Sequence, residues 1–171
     1  VFPVHPVFHQ ADVIIGGGLA GIFAGYELVK SRPDLRIALL EQGADIRKRS
    51  CPIVEKKVDS CINCRTCAIM RGFGGAGAFS DGKFNFTTQF GGWLDEYLPD
   101  REVMELIEYV DQVNQAFGAT DECYSTYTPE ADIIRKKAIG HDLHLMDARC
   151  KHLGTERNRE ILAAQFDYLD E

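Results

Sequence analysis

The sequence predicts an α/β fold that begins with a parallel β-α-β unit. Three observations carry that expectation. Val13-Ile14-Ile15 is a β-branched run of the kind a buried parallel strand uses. Gly16-Gly17-Gly18 breaks it and opens a segment from Leu19 to Ser31, in which Ile22, Phe23, Tyr26 and Val29 recur at helical spacing. Arg36 to Glu41 then reads as a second apolar strand.

The remaining elements follow in order. Pro33 and Asp34 stop the first helix, and Gly43 ends the second strand. Residues 44–68 form a basic, Cys-rich connection. Residues 71–92 are dense in glycine and aromatics, which points to backbone approaching a ligand or another strand closely. Within them Phe84, Phe86 and Thr88 alternate with Asn85 and Thr87, predicting a short strand or hairpin arm. Asp100 is the expected cap of a helix reaching about Phe117. Its stripe is Val103, Leu106, Ile107, Val110, Val113 and Phe117, and Gly118 is its stop. Thr128-Pro129 starts a shorter helix, with proline at the first helical position. Leu143 and Leu145 fall in an expected strand, and Thr155 caps a last helix carrying Ile161, Leu162, Phe166 and Leu169. The division expected is an N-terminal extension over 1–10, a nucleotide-binding β-α-β unit with its loops over 11–98, and a helical or α+β continuation over 99–171. There is no internal repeat and no low-complexity tract.

Length and composition bound the function classes. A chain of 171 residues suits one domain, or one and a fraction, and its 45% apolar content excludes collagen-like and disordered readings. No run of eighteen apolar residues exists, so no membrane span is encoded. The start, VFPVHPVFHQ, has two prolines and no basic n-region, and makes a poor signal peptide. It also lacks an initiator Met, so the chain reads as trimmed or partial. With 19 Lys+Arg against 26 Asp+Glu the formal net charge is −7, which argues against a nucleic-acid partner and serves solubility. The local cluster Arg47-Lys48-Arg49 is still suited to phosphate. Nothing in the sequence sets the oligomeric state.

The strongest motif is Gly16-Gly17-Gly18-Leu19-Ala20-Gly21, a G-x-G-x-x-G fingerprint between a strand and a helix, with Glu41 twenty residues beyond Gly21 at the end of the next strand. Gly16 permits the tight turn, Gly18 lets backbone approach a pyrophosphate, and Gly21 lets helix and strand pack closely. The helix N-terminus favours phosphate charge, and Glu41 can accept from a ribose hydroxyl pair. Gly17 and Ala20 inside the loop, and Gln42 after the acid, complete the expected nucleotide-contacting set. A glycine-rich turn in an ordinary β-α-β unit is the blander reading, but strand, helix and acid together favour a Rossmann-like, doubly wound nucleotide-binding fold. Glu41 disfavours a 2′-phosphate without separating NAD from FAD. Gly77 to Lys83 fits G-x4-G-K, yet Phe84 follows where a P-loop needs Ser or Thr, so an ATPase reading fails.

Six cysteines are present, and four of them, Cys51, Cys61, Cys64 and Cys67, fall within seventeen residues at the spacing C-x9-C-x2-C-x2-C. Without an export signal, such a cluster suggests metal or redox chemistry in a reducing, cytoplasmic setting. Three readings stay open: an iron–sulfur cluster, for which C-x2-C-x2-C is a ligand spacing; structural zinc or a redox dithiol at Cys64 and Cys67; and plain reduced thiols. Cys123 and Cys150 are isolated and read as structural. His5, His9, His141, His144 and His152 have no metal-ligand spacing, and Trp93 reads as packing.

At these residues a family resemblance emerges. DVIIGGGLAGIFAGYEL, LLEQGADIRKRSCP, the spaced cysteines, GFGGAGAFSDGKFNFTTQFGGWLDEYL and HLGTERNREIL together resemble bacterial and archaeal FAD-dependent dehydrogenases, the NAD(P)/FAD-dependent oxidoreductases, over nearly the whole chain from Asp12. The resemblance implies FAD at Gly16, Gly18, Gly21 and Glu41. It implies that Gly74, Gly75, Ala76 and Gly77 line the flavin or pyrophosphate, with Arg49 and its basic neighbours beside phosphate or adenine. It further implies hydride or electron transfer through the flavin, NAD(P)H as an electron donor, and a small-molecule substrate or redox partner. Two departures are local: the first strand is a residue short before Gly16, and Gly17-Gly18-Leu19 replaces the more usual Ala-Gly-Pro. The third is larger, because the substrate domain and late FAD segment have no counterpart, so the chain reads as an N-terminal fragment. Asp81 and Lys83 are the only acid–base candidates, and loop-capping suits both better. The alternative function is a nucleotide- and metal-binding module without turnover of its own.

Overall fold

The computed structural model describes residues 11–171, so the N-terminal extension with His5 and His9 lies outside the described residues. The fold is mixed α/β, with nine regular strands and helices among the described residues, and the chain divides into two units. The first comprises the chain up to Ser80 together with Asn158–Glu171, and the second comprises Asp81–Arg157. The division therefore falls at residue 80, inside the span expected as one unit, and the C-terminal helix belongs largely with the N-terminal unit.

In the first unit, β1 (Asp12–Ile15) and β2 (Ile37–Leu40) pair in parallel, Asp12 opposite Ile37 and Ile15 opposite Leu40, and α1 (Leu19–Ser31) makes the crossover. The expected β-α-β unit is present. The parallel sheet has two strands, and it differs from expectation in burial. Val13 is exposed and Ile15 is 86% exposed, because one face of a strand pair this narrow has no layer over it among the described residues. Ile14, on the opposite face, packs toward Gly25 of α1. The core gathers Ile22 of α1, Ile46, Phe73, Ala78 and Leu162, with Phe166 and Leu169 against it. Leu162, Phe166 and Leu169 lie on the last helix, α4 (Gly154–Asp170), whose apolar stripe the sequence anticipated. That helix begins at Gly154, so Thr155 lies in its first turn and not at its cap.

In the second unit, β3 (Lys83–Phe86), β4 (Tyr124–Ser125) and β5 (Arg149–His152) form an antiparallel sheet in the order β3-β5-β4. The expected arm at Phe84 and Phe86 is thus a strand, but its partner lies far along the chain and it makes no hairpin. Leu143 and Leu145 do not form a strand. The strand is the polar segment Arg-Cys-Lys-His that follows, fixed by partners on both sides. Helix α2 (Asp100–Ala116) has Pro99 at the cap position, and Asp100 and Glu102 in the first turn, where carboxylates favour the helix dipole. Gly118 sits at φ +100° and ends it as expected. Helix α3 (Pro129–Ile139) has the anticipated Thr128 cap, whose Oγ1 accepts from the Ala131 amide at 3.2 Å.

The polar strand β5 is held by α2 through charge. Lys151, only 3% exposed, donates Nζ to both carboxylate oxygens of Asp111 at 2.8 and 2.7 Å, and lies over the Phe86 ring. One helical turn away, Arg149 donates to Glu108 at 2.7 Å. A buried ion pair stabilises little relative to apolar packing, but losing one partner strands the other charge. Lys151→Met should therefore destabilise the second unit by about 3–5 kcal/mol in denaturant unfolding, and the double variant Lys151→Met with Asp111→Leu should recover much of that loss.

Candidate functional site

The glycine fingerprint occupies the position it was expected to occupy. Gly16, at φ +104°, leaves the end of β1 with its amide donating to the Leu40 carbonyl at 2.7 Å. Gly18 is the residue before α1, in extended conformation, and the Ile22 amide donates to its carbonyl. Gly21 has no room for a side chain, since an added Cβ would lie 1.9 Å from the Gly16 carbonyl oxygen. Gly18 is the reverse case, with nothing within 4 Å of where its Cβ would be. No side chain caps α1, and no acidic residue lies in its first turn. The first-turn amides thus keep an open, electropositive approach.

Glu41 does more than the sequence assigned to it. Its Oε2 accepts from the Gly17 amide at 2.7 Å, and its Oε1 accepts from the amides of Gly43 and Gly72, both at 2.9 Å. One carboxylate therefore joins the fingerprint loop, the turn after β2 and the glycine-rich loop. Burial alone would raise the Glu41 pKa. The amides of Gly43, Gly17, Gly72 and Gln42 outweigh it and hold the carboxyl below the ordinary glutamate value. Around it, Gly43 and Gly72 touch so closely that a Cβ on Gly43 would lie 2.4 Å from the Gly72 nitrogen. The Gly74 amide donates to the Gly17 carbonyl at 2.7 Å, and Gly75 passes beside Gly18, where a Cβ on Gly75 would lie 3.3 Å from Cα of Gly18. Gly16, Gly17, Gly18, Gly21, Glu41, Gly74 and Gly75 are thus brought together. Ala76 and Gly77 continue into a 3₁₀ turn, Ala76–Phe79, Ala20 is exposed on the first turn of α1, and Gln42 is exposed beside Glu41.

Arg49 has a different position from the phosphate neighbour expected of it. It is 3% exposed, and its guanidinium donates to four carbonyls: Ala68, Phe73, Gly75 and Ile69, at 2.7–2.8 Å. It also stacks over the Phe79 ring, 4.9 Å from the centroid. Burial draws its pKa down from the usual guanidinium value, while the Glu41 charge acts in the opposite sense. Arg47, by contrast, is exposed and pairs with Asp167 on α4. Two residues of the site escaped the sequence reading. Asn158 donates Nδ2 to the Gly77 carbonyl at 2.8 Å, and Arg159 also lies over the Phe79 ring, 5.1 Å from its centroid. Both lie within HLGTERNREIL, but no spacing singles them out.

The G-x4-G-K segment is not a P-loop. A 3₁₀ turn precedes Gly82-Lys83 and a strand follows, the reverse of the strand–loop–helix order phosphate binding needs. Asp81 and Lys83 pair with each other at 3.5 Å in the second unit, both well exposed, which fits the capping role better than an acid–base one. His141, His144 and His152 are exposed.

All six cysteines are free thiols. Cys51, Cys61, Cys64 and Cys67 line one cavity of about 280 Å³ in the Cys-rich connection. Cys51 and Cys67 are half-buried, and Cys61 and Cys64 are exposed. The amides of Met70 and Ile69 stabilise the Cys67 thiolate and pull its pKa down, with help from Arg71 and Arg49. Among the described residues, no three Cys, His, Asp or Glu side chains stand close enough together to hold one metal ion. The structure thus brings the four thiols to one cavity but not to one point. Cys123 and Cys150 are near each other in the second unit, with the Cys123 thiol donating to the Cys150 carbonyl at 3.5 Å. No helix among the described residues is long and apolar enough to cross a membrane.

No model of a known protein family, no curated protein and no solved structure matches this chain.

Two outcomes test the geometry. Glu41→Gln keeps one acceptor oxygen but turns an NH2 toward glycine amides, and should cost about 1–3 kcal/mol in denaturant unfolding. The folded pKa of Glu41 lies below its unfolded one, so its stabilisation is complete above about pH 4.3, the unfolded glutamate value. It is lost as pH falls through the folded value, and the acid-side decline should be shallower in Glu41→Gln. Arg49→Met should cost at least about 3 kcal/mol, because it leaves four inward-facing carbonyls without their donor.

Proposed function

We propose that this chain is the cofactor-holding part of an FAD-dependent oxidoreductase, binding the FAD pyrophosphate at the N-terminus of α1. The observation that carries this reading is the open helix end at Gly18, where first-turn amides are uncapped and a Cβ would meet nothing within 4 Å. A pyrophosphate placed there accepts from those amides and lies in the positive end of the helix dipole. Gly74 and Gly75, joined to Gly17 and adjacent to Gly18, supply a second glycine wall through which backbone can reach the cofactor. Glu41, at the end of β2 beside the fingerprint loop, is the proposed ribose-side acid, and the amides of Gly17, Gly43, Gly72 and Gln42 fix its carboxylate in place. The resemblance of GFGGAGAFSDGK to FAD-dependent dehydrogenases supports FAD over NAD at this site.

Bound FAD would supply the hydride and electron chemistry, and the residues of this chain hold and orient it. NAD(P)H is the proposed electron donor, and a small-molecule substrate or redox partner completes the reaction. A cytoplasmic location fits the six free thiols, which a reducing compartment preserves. The cysteine cavity favours a second reading, a nucleotide- and metal-binding module that carries cofactors without turnover of its own.

Titrating the purified chain with FAD, followed by flavin absorbance and fluorescence, tests the proposal. Saturable binding of one FAD per chain is the expected result, and no spectral change on adding FAD would overturn it. Two glycines separate binding from folding. Gly18→Ala adds a methyl to open space in a backbone conformation any residue adopts, so the unfolding midpoint should stay put while FAD affinity falls about tenfold or more, a loss of about 1.4 kcal/mol. Gly21→Ala drives a methyl into the Gly16 carbonyl and should destabilise the fold itself by about 1–3 kcal/mol.

A further inference from the structure

We propose that the cavity lined by Cys51, Cys61, Cys64 and Cys67 binds a polynuclear iron–sulfur cluster and not a single metal ion. This site is separate from the nucleotide site in its residues, and the inference does not depend on FAD binding.

The lining chemistry comes first. Four of the twelve residues around the cavity are cysteines, and none is Asp, Glu or His. A donor set of thiols alone excludes hard cations such as magnesium and calcium, and narrows the choice to zinc, copper(I) or iron–sulfur clusters. The arrangement of the sulfurs then decides among these. A single zinc ion draws four ligands to a common centre at about 2.3 Å. Here no three candidate ligands among the described residues stand close enough to hold one ion, although all four cysteines line one space of about 280 Å³. A cluster takes thiolates spread around a body of several atoms, each reaching a different iron, and four cysteines around one cavity, three of them at C-x2-C-x2-C spacing, are a ligand set of that kind.

The chain order agrees. Cys61, Cys64 and Cys67 follow at two-residue gaps, while Cys51, before Pro52, comes from a separate turn closed by the Glu55 amide on the Cys51 carbonyl. Asn63, between Cys61 and Cys64, takes a left-handed conformation at φ 51° that asparagine tolerates, turning the chain between the two thiols. Ile53, Val58 and Ile62 add apolar side chains to the lining of the cavity. On binding, each of four thiols releases its proton to solvent and forms one Fe–S bond to a cluster built from supplied iron and sulfide. The protein itself is neither oxidised nor reduced.

The test is anaerobic reconstitution of the full chain with a ferric salt, sulfide and a thiol reductant, the reductant supplying the two electrons a four-iron core takes up from four ferric ions, followed by iron and sulfide analysis and visible absorption after desalting. About four iron and four sulfide per chain, with a broad visible band, is expected for a four-iron cluster, or about two of each for a two-iron one. Cys64→Ser should remove most of the iron, and Cys51→Ser should do the same from the other turn. Cys123→Ser, in the second unit, should bind as the unchanged chain does. Far-UV circular dichroism on each variant separates loss of the site from loss of the fold. The stoichiometry of the unchanged chain stands without any variant: iron without matching sulfide, or one zinc per chain that blocks iron, would overturn the proposal. So would full iron and sulfide in Cys64→Ser.

Discussion

Three glycine amides, those of Gly17, Gly43 and Gly72, converge on the carboxylate of Glu41, and the rest of the first unit depends on that convergence. Each amide belongs to a different loop, and the one carboxylate ties the three together beside the core contacts of Ile46, Phe73 and Ala78. A charged acceptor gives shorter and stronger hydrogen bonds than a carbonyl would, and one carboxylate can serve several donors at once. The glycines in turn make the convergence possible, since a Cβ on Gly43 would collide with the Gly72 backbone. The relative placement of the loops thus rests on one acid and its donors together with those core contacts.

Arg49 solves the complementary problem. The glycine-rich loop and the end of the Cys-rich connection leave carbonyls pointing inward, and four of them end on the Arg49 guanidinium. Only arginine offers five donors in a rigid fork, so lysine could not gather carbonyls from both ends of the segment 68–75. Ala68 and Ile69 follow directly on Cys67, and Phe73 and Gly75 lie in the glycine-rich loop. The guanidinium therefore fixes the end of the cysteine cavity and the start of the glycine wall through one side chain. The two candidate sites of the unit share a support without sharing a residue.

Much of this fold was legible. The β-α-β unit, the caps at Thr128 and Gly118, and the stripe of α4 follow from period, capping chemistry and glycine placement, which are local signals. What escaped is non-local. β5 is a polar tetrapeptide that becomes a strand only because β3 and β4 flank it, and its basic side chains become tolerable only beside Glu108 and Asp111 of α2. The boundary at residue 80 escaped because α4 returns to the first unit, which no composition shift announces. At the site, the glycine positions were readable from their spacing. The roles of Arg49 and Asn158 were not, because both side chains serve backbone carbonyls, and backbone acceptors leave no mark in sequence.

The double duty of Glu41 bears on ligand choice under the proposed function. The amides of Gly17, Gly43, Gly72 and Gln42 already share its carboxylate, so it does not offer a nucleotide ribose a free bidentate acceptor. A 2′-phosphate would bring a second anion against a carboxylate that the surrounding amides keep ionised, with Arg49 already committed to carbonyls and unable to offset it. Selection against phosphorylated ribose then follows from the architecture that orders the loops, without any residue dedicated to it. The same logic says where ligand binding can be altered without harming the fold. Glu41, Gly21, Gly43 and Gly72 hold the fold, whereas a side chain at Gly18 meets nothing within 4 Å, so under the proposed function Gly18 is the position that can be changed for the ligand's sake.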